Sequence, residues 1–187
     1  MARLTRQDWI NAALDRLEFG TAEEATIVRL AASLGVSRGS FYHHFAGLED
    51  YLSELEPVRV ALLRDFEAEA DAEPDDLERL RIYTVACLSS RLYMNLEVLF
   101  ERNRTELTEF HKIAWQTDED ALLWQLGMMR RMGFNQDDGA RYLSVMKAAA
   151  FGMVQTMMIW NTVPPLEDRI AFANSIADIG IAAARCS

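Results

Sequence analysis

The chain is predicted to be all-α, with a three-helix helix-turn-helix unit followed by a larger helical domain, about nine helices in all. Three observations predict this. Four prolines and nine glycines in 187 residues leave few places to turn, which favours long helices over a strand-rich architecture. Apolar residues recur at spacings of three and four along most of the chain. Between Thr26 and Phe45, two short helix signals are separated by a turn too tight for anything but a helix-turn-helix.

The first helix is predicted from Thr5 to Phe19, with Thr5 as its cap and Asp8 near the positive end of its dipole. Trp9, Ile10, Ala13, Leu14 and Leu17 give it a core face, and Gly20 ends it. Thr26 is placed to cap the second helix, where Leu30, Ala31 and Leu34 point inward. Gly35 follows, because a left-handed backbone just past a helix end is cheap only without a Cβ. Ser37 is placed to cap the third helix, with Phe41 and Phe45 on its buried side.

A fourth helix should start near Leu48, and Pro57 inside it should kink or split it. A kinked connector would concentrate bending at one place. The acidic run up to Pro74 reads as a solvated helix end and loop. From Leu77 to Met94 apolar groups occupy two faces, the mark of one central helix, with a shorter helix over Leu96 to Arg102. A long helix is expected from Thr105 to Met132, closed by Gly133, and Asn135 can cap the next. In that helix Leu143, Met146, Ala150, Met153, Met157 and Trp160 alternate by three and four, like a coiled-coil seam. Pro164 and Pro165 break it, and the last helix carries a small-residue stripe, Ile170, Ala173, Ala177, Gly180 and Ala184. These two stripes predict a four-helix bundle shared by two subunits, a homodimer. The alternative is that both complete the core of one monomer.

The domains are therefore placed at 1–47 and 48–187. The first residues, with Arg3, Arg6 and Asp8, lack the continuous apolar stretch of a signal peptide, and the apolar run from Ala148 ends at Gln155, too short for a membrane span. Two cysteines, Cys87 and Cys186, are too few for a disulfide framework. A cytoplasmic, membrane-free protein is expected.

The net charge of −10 argues against nucleic acid only superficially. No Asp or Glu lies between Gly35 and Gly47, whereas Arg38, His43 and His44 do. An exposed helix rich in donors and free of carboxylates is what a DNA major groove accepts. Enzymatic signals are missing: there is no phosphate-cradling glycine loop, no histidine pair at i, i+4 and no Ser-His-acid arrangement at a recognisable turn. No catalytic residue, metal or cofactor is expected.

The segment Thr26-Ile-Val-Arg-Leu-Ala, then Leu34-Gly-Val-Ser-Arg-Gly-Ser-Phe-Tyr-His-His-Phe45, followed by Leu48-Glu-Asp-Tyr-Leu52, resembles the TetR (tetracycline repressor) family of transcriptional regulators. The resemblance implies a homodimeric, ligand-responsive regulator, a repressor of a palindromic DNA operator, with an amino-terminal reader and a divergent ligand chamber. Carried over by position, Arg38, Gly39, Ser40 and His43 face bases, while Thr26, Arg29, Tyr42 and His44 face phosphates. At Leu48 the chain departs from the family, which usually places a lysine there. That departure and the acidic balance favour an alternative, a small-molecule binding or protein-interaction module that keeps the fold without DNA recognition.

The expected partners are double-stranded DNA, a second copy of the chain and a small-molecule effector. Met94, Phe100, Phe110, Trp115, Trp124, Met128 and Phe151 are the soft and aromatic candidates for lining an effector chamber. Glu97, Glu101 and Asp118 would neutralise a cationic compound if they point inward. Solvated surface is the alternative for all three.

Overall fold

A computed structural model of the chain describes residues 4–104 and 110–185. Nine α-helices and one 3₁₀ turn occur among the described residues, and no strand. Helix α1 spans Arg6–Phe19. Its cap is reciprocal: the Thr5 hydroxyl accepts from the Asp8 amide at 3.2 Å, and the Asp8 carboxylate accepts from the Thr5 amide at 2.7 Å. These bonds hold the Asp8 carboxyl below the usual range. A 3₁₀ turn, Ala22–Ala25, which the sequence pattern does not announce, leads into α2, Ile27–Ser33, and α3, Arg38–Phe41. Gly35 joins the last two at φ +67°, in the left-handed region that penalises any Cβ.

An aromatic core locks these short elements together. Phe41 stacks on Phe45 at 4.7 Å between ring centroids and meets Trp9 edge-on at 5.4 Å. Tyr51 packs against both phenylalanines, and its buried hydroxyl donates to the Ala25 carbonyl at 2.9 Å.

Tyr51 belongs to α4, Leu48–Asp71, which runs unbroken through Pro57. The expected split does not occur. Proline deprives the Ser53 carbonyl of its usual donor, but both residues lie on the solvent face, so the freed acceptor costs little there. The acidic run is likewise helical as far as Asp71, because Leu63 and Ala70 anchor its inner face.

The expected single helix from Leu77 to Met94 is two helices. The chain instead forms α5, Asp76–Ser89, and α6, Arg91–Arg102. Ser90 makes the break, its amide closing α5 on Ala86 and its hydroxyl accepting from the Tyr93 amide at 3.2 Å to cap α6. Buried Arg169 secures the end of α5 by donating to the carbonyls of Leu88 and Ser89. The two apolar faces therefore belong to two helices with different neighbours.

Helix α7, Phe110–Arg131, stops before Gly133 at φ +92°. Residues 105–109, expected to open it, lie outside the described residues. Asn135 caps α8, Gln136–Trp160, by accepting from the Asp138 amide at 2.9 Å. Helix α9, Leu166–Arg185, then returns along α5 and α8. Among the described residues, α8 is the helix long and apolar enough to cross a membrane by length and composition. In this fold it packs on α6, α7 and α9, burying Tyr142, Leu143, Met146, Val154 and Met157.

Candidate nucleic-acid interface and chamber

Helix α3 and the turn after it present the anticipated reading residues. Arg38, Gly39, Tyr42 and His43 are exposed, Ser40 and His44 are half-buried, and Arg29 is exposed on α2. An Arg38 Nη2 donates to the Tyr42 hydroxyl at 3.2 Å, so the two side chains form one polar ridge. The α-helical part of α3 is a single turn rather than a helix reaching Phe45. The amides of His43 and His44 bond the carbonyls of Ser40 and Phe41, a tighter i, i+3 winding. Neither Thr26 nor Ser37 caps its helix by side chain. The Thr26 hydroxyl instead donates to the Glu23 carbonyl at 2.8 Å, and neither α2 nor α3 has a cap side chain accepting from its first amides.

Arg6, which no local sequence motif marks, holds this surface in place. Its guanidinium donates to the His44 carbonyl at 2.7 Å, to Asp50 at 2.6 Å and to Glu54 at 2.7 Å, and lies 4.5 Å over the Phe45 ring. The Arg6 hydrogen bond, with one from the Ala46 amide, holds the Asp50 carboxyl below the usual range. The carboxylates of Asp50 and Glu54 are thus already paired beside the reading surface. One signal was available: a cation in the first turn of a helix opposes the dipole and calls for an anionic partner elsewhere.

A cavity of about 450 Å³ lies among α4, α5, α6, α7 and α8. Met94 and Phe151 line it. Phe100 and Met128 are buried in the core and do not, because the pattern that marks them as apolar cannot say which side of a packed helix is left open. Trp124 packs on Tyr83 at 5.1 Å, and its indole donates to Asp71 at 3.2 Å, outside the lining. The side chains of Phe110, Trp115 and Asp118 lie outside the described residues. Polar lining comes from Tyr83, Thr84, Cys87, Tyr93, Glu97, Gln125 and Lys147. Glu101 pairs instead with Arg104 at 3.6 Å.

Behind Glu97 stands a buried ionic triad. Arg59 donates to both oxygens of Glu56, at 2.8 and 2.9 Å, and to Glu97 at 3.0 Å. No group of three His, Cys, Asp or Glu side chains among the described residues is placed to hold a metal ion.

No family model matches the chain, and no curated protein matches it. Solved structures do. A transcriptional regulator from Rhodococcus sp. Rha1 superposes with a TM-score of 0.70 at 16% identity, over 96% of this chain and 97% of its own. The TetR family transcriptional regulator PfmR from Thermus thermophilus gives 0.58 at 20% identity, over 92% and 97%. A putative transcriptional regulator from Pseudomonas aeruginosa PAO1 gives 0.61 at 17% identity, over 96% and 92%. The chain has the TetR-regulator fold.

Within this TetR fold, α6 ties the end of α1 and the 3₁₀ turn to the cavity wall. Buried Asn95 donates to the carbonyls of Leu17 at 2.7 Å and Gly20 at 3.1 Å, at the end of α1. Arg102 pairs with Glu23 at 2.9 Å and also donates to the Met158 carbonyl at 3.2 Å. Two residues past Asn95, Glu97 faces the chamber. Replacing Asn95 by Leu should cost about 1–3 kcal/mol, because two carbonyls lose their donor. A urea midpoint equal to the parent's would show that the tie carries no load.

The TetR-type helix pair at the end of the chain corrects the expected seam. Leu143, Met157, Ala173 and Ala177 are buried within the monomer, as is most of Met146, which lines the chamber with Ala150. Met153 and Ile170 are half-buried, and Gly180 lies outside the residues whose surroundings are described. Among the described residues of the expected stripes, Trp160 is the strongly exposed one, at 72%. The outward face of α8 is a different line: Val145, Gly152, Thr156 and Ile159. On α9 the matching line is Ala171, Ser175 and Ile179. Helix α8 is apolar on two sides, and the side with the stronger pattern faces its own core.

Proposed function

We propose that the protein is a ligand-responsive transcriptional repressor that binds a palindromic DNA operator as a homodimer. One observation carries the reading: the exposed ridge of Arg38 and Tyr42, with exposed His43 following it, on a segment free of carboxylates, with the nearby Asp50 and Glu54 paired to Arg6. Arg38 has the planar fork that fits guanine O6 and N7, and Gly39 permits close backbone approach. The uncapped amides of α2 and α3, with Arg29 and the Thr26 backbone, suit phosphate oxygens. Such a protein works where the DNA is, in the cytoplasm.

Dimerisation is supported by the apolar outer face of α8 and α9, which one monomer leaves to solvent. Two-fold symmetry then requires half-sites on one DNA face, about 34–36 Å apart or a multiple. The effector occupies the chamber and needs to favour the DNA-incompetent shape by only about 1–3 kcal/mol. The route runs through α6, which touches both chamber and reader.

Selection of bound fragments from random DNA tests the proposal and should return a palindrome. Replacing Arg38 by Ala should cost about 1–3 kcal/mol of operator affinity and relax preference at one base position. A loss spread evenly over all sequences would make Arg38 a phosphate contact instead. The net charge of −10 and half-buried Leu48 favour the second reading, a module without DNA recognition. Failure to be retained on random DNA at low salt would establish that second reading.

A further inference from the structure

Asp50 and Glu54 stand one turn apart on α4, so their carboxylates reach the same side of the helix. Arg6, from the start of α1, meets them at 2.6 and 2.7 Å. The bond to Asp50 raises the Arg6 pKa and lowers that of Asp50, so each holds the other charged. One guanidinium thus serves two carboxylates, and the three side chains together carry one net negative charge.

This cluster is open to solvent, its side chains between 33% and 46% exposed. It also lies directly against the reading turn. Arg6 donates to the His44 carbonyl and sits over the Phe45 ring, while Asp50 accepts from the Ala46 amide at 2.8 Å. DNA held by the His44 side chain would therefore pass within about 10 Å of the cluster, the screening length near 0.1 M salt.

We propose that the Arg6–Asp50–Glu54 cluster sets the strength of DNA binding through its net charge, without reading sequence. Phosphates meet one surplus negative charge on each subunit, so the natural cluster weakens binding. Arg6 is a positioning residue here: it holds both carboxylates and cancels half of their charge. Removing Arg6 should weaken binding further, and removing the carboxylate charges should strengthen it. A cluster that served only to clamp α1 on α4 would behave differently, because every break in it would cost affinity and none could raise it.

The inference rests on the DNA-binding reading, and one experiment separates the two. Fluorescence anisotropy on a random duplex at low salt compares the parent, Arg6→Gln, the double variant Asp50→Asn/Glu54→Gln and the triple variant that combines them. Their clusters carry net charges of minus one, minus two, plus one and zero in that order. The new amides keep an oxygen for the bonds from Arg6 and Ala46, so the double variant retains the clamp. Affinity should rank double, triple, parent, Arg6→Gln, each unit of charge being worth about threefold to tenfold. The spread should shrink at physiological salt, where the screening length falls to about 8 Å. If Arg6→Gln fails to fold, the double variant decides by itself, since a gain over the parent cannot come from damage. Loss of affinity in the double variant, equal affinities throughout, or a shift confined to the selected operator would overturn the proposal. Binding by the double variant with none by the parent sinks the DNA reading of the natural chain and upholds the charge ranking. Binding by the parent without the ranking sinks the proposal alone, and binding by none of the four sinks both.

Discussion

Replacing Arg59 by Met is expected to destabilise the protein by about 3–5 kcal/mol, because it strands a buried carboxylate. Burial by itself pulls the Arg59 pKa down, yet the hydrogen bonds it donates to Glu56 and the charge of Glu97 raise it above its ordinary value. The guanidinium is therefore held by its partners. Without it Glu56, 4% exposed on α4, has no donor for the oxygens that Arg59 served. The double variant Glu56→Leu/Arg59→Met removes both charges and should recover most of the loss, since buried ion pairs are often matched by apolar residues of similar volume. Urea unfolding of the parent, single and double variants measures both effects. A single variant within about 1 kcal/mol of the parent would mean that the triad does not hold α4 onto α6.

The parts of the fold legible in the chain were those decided locally. The Thr5–Asp8 cap, the Gly35 turn, the stop at Gly133 and the Asn135 cap each depend on residues within a turn of one another. Where distant partners decide, the pattern misleads. Ser90 breaks a continuous apolar run because it can cap α6 while Arg169, from α9, collects the carbonyls that the end of α5 leaves over. Pro57 leaves α4 whole because its cost depends on which way the freed carbonyl faces, and periodicity does not report that.

The candidate site divides in the same way. Arg38, Tyr42 and His43 were readable because the short motif both names them and exposes them. Arg6 was not, since its partners Asp50 and Glu54 lie more than forty positions away. The chamber is a space left over by packing. Phe100, Met128 and Met94 are all buried and apolar, and only the arrangement of five helices leaves Met94 alone of the three beside the opening.

The outer face of α8 gives the other large expected effect. Val145 is 56% exposed and Ile159 73%, so Val145→Asp/Ile159→Asp removes little packing within one monomer and should change its stability by only about 0.5 kcal/mol per site. On a dimer interface the same pair of carboxylates meets its own copy across the two-fold axis and loses water, a cost that two apolar faces cannot repay. The variant should sediment as a monomer. Operator affinity should then fall about hundredfold to ten-thousandfold, because two readers no longer bind as one linked unit. Leu143→Asp provides the contrast. It lies on the stripe with the stronger sequence pattern but is buried against the monomer's own core, so it should unfold the chain rather than dissociate it. A surface double variant that keeps the mass and operator affinity of the parent would remove α8 from the interface, and with it the geometry that sets the half-site spacing.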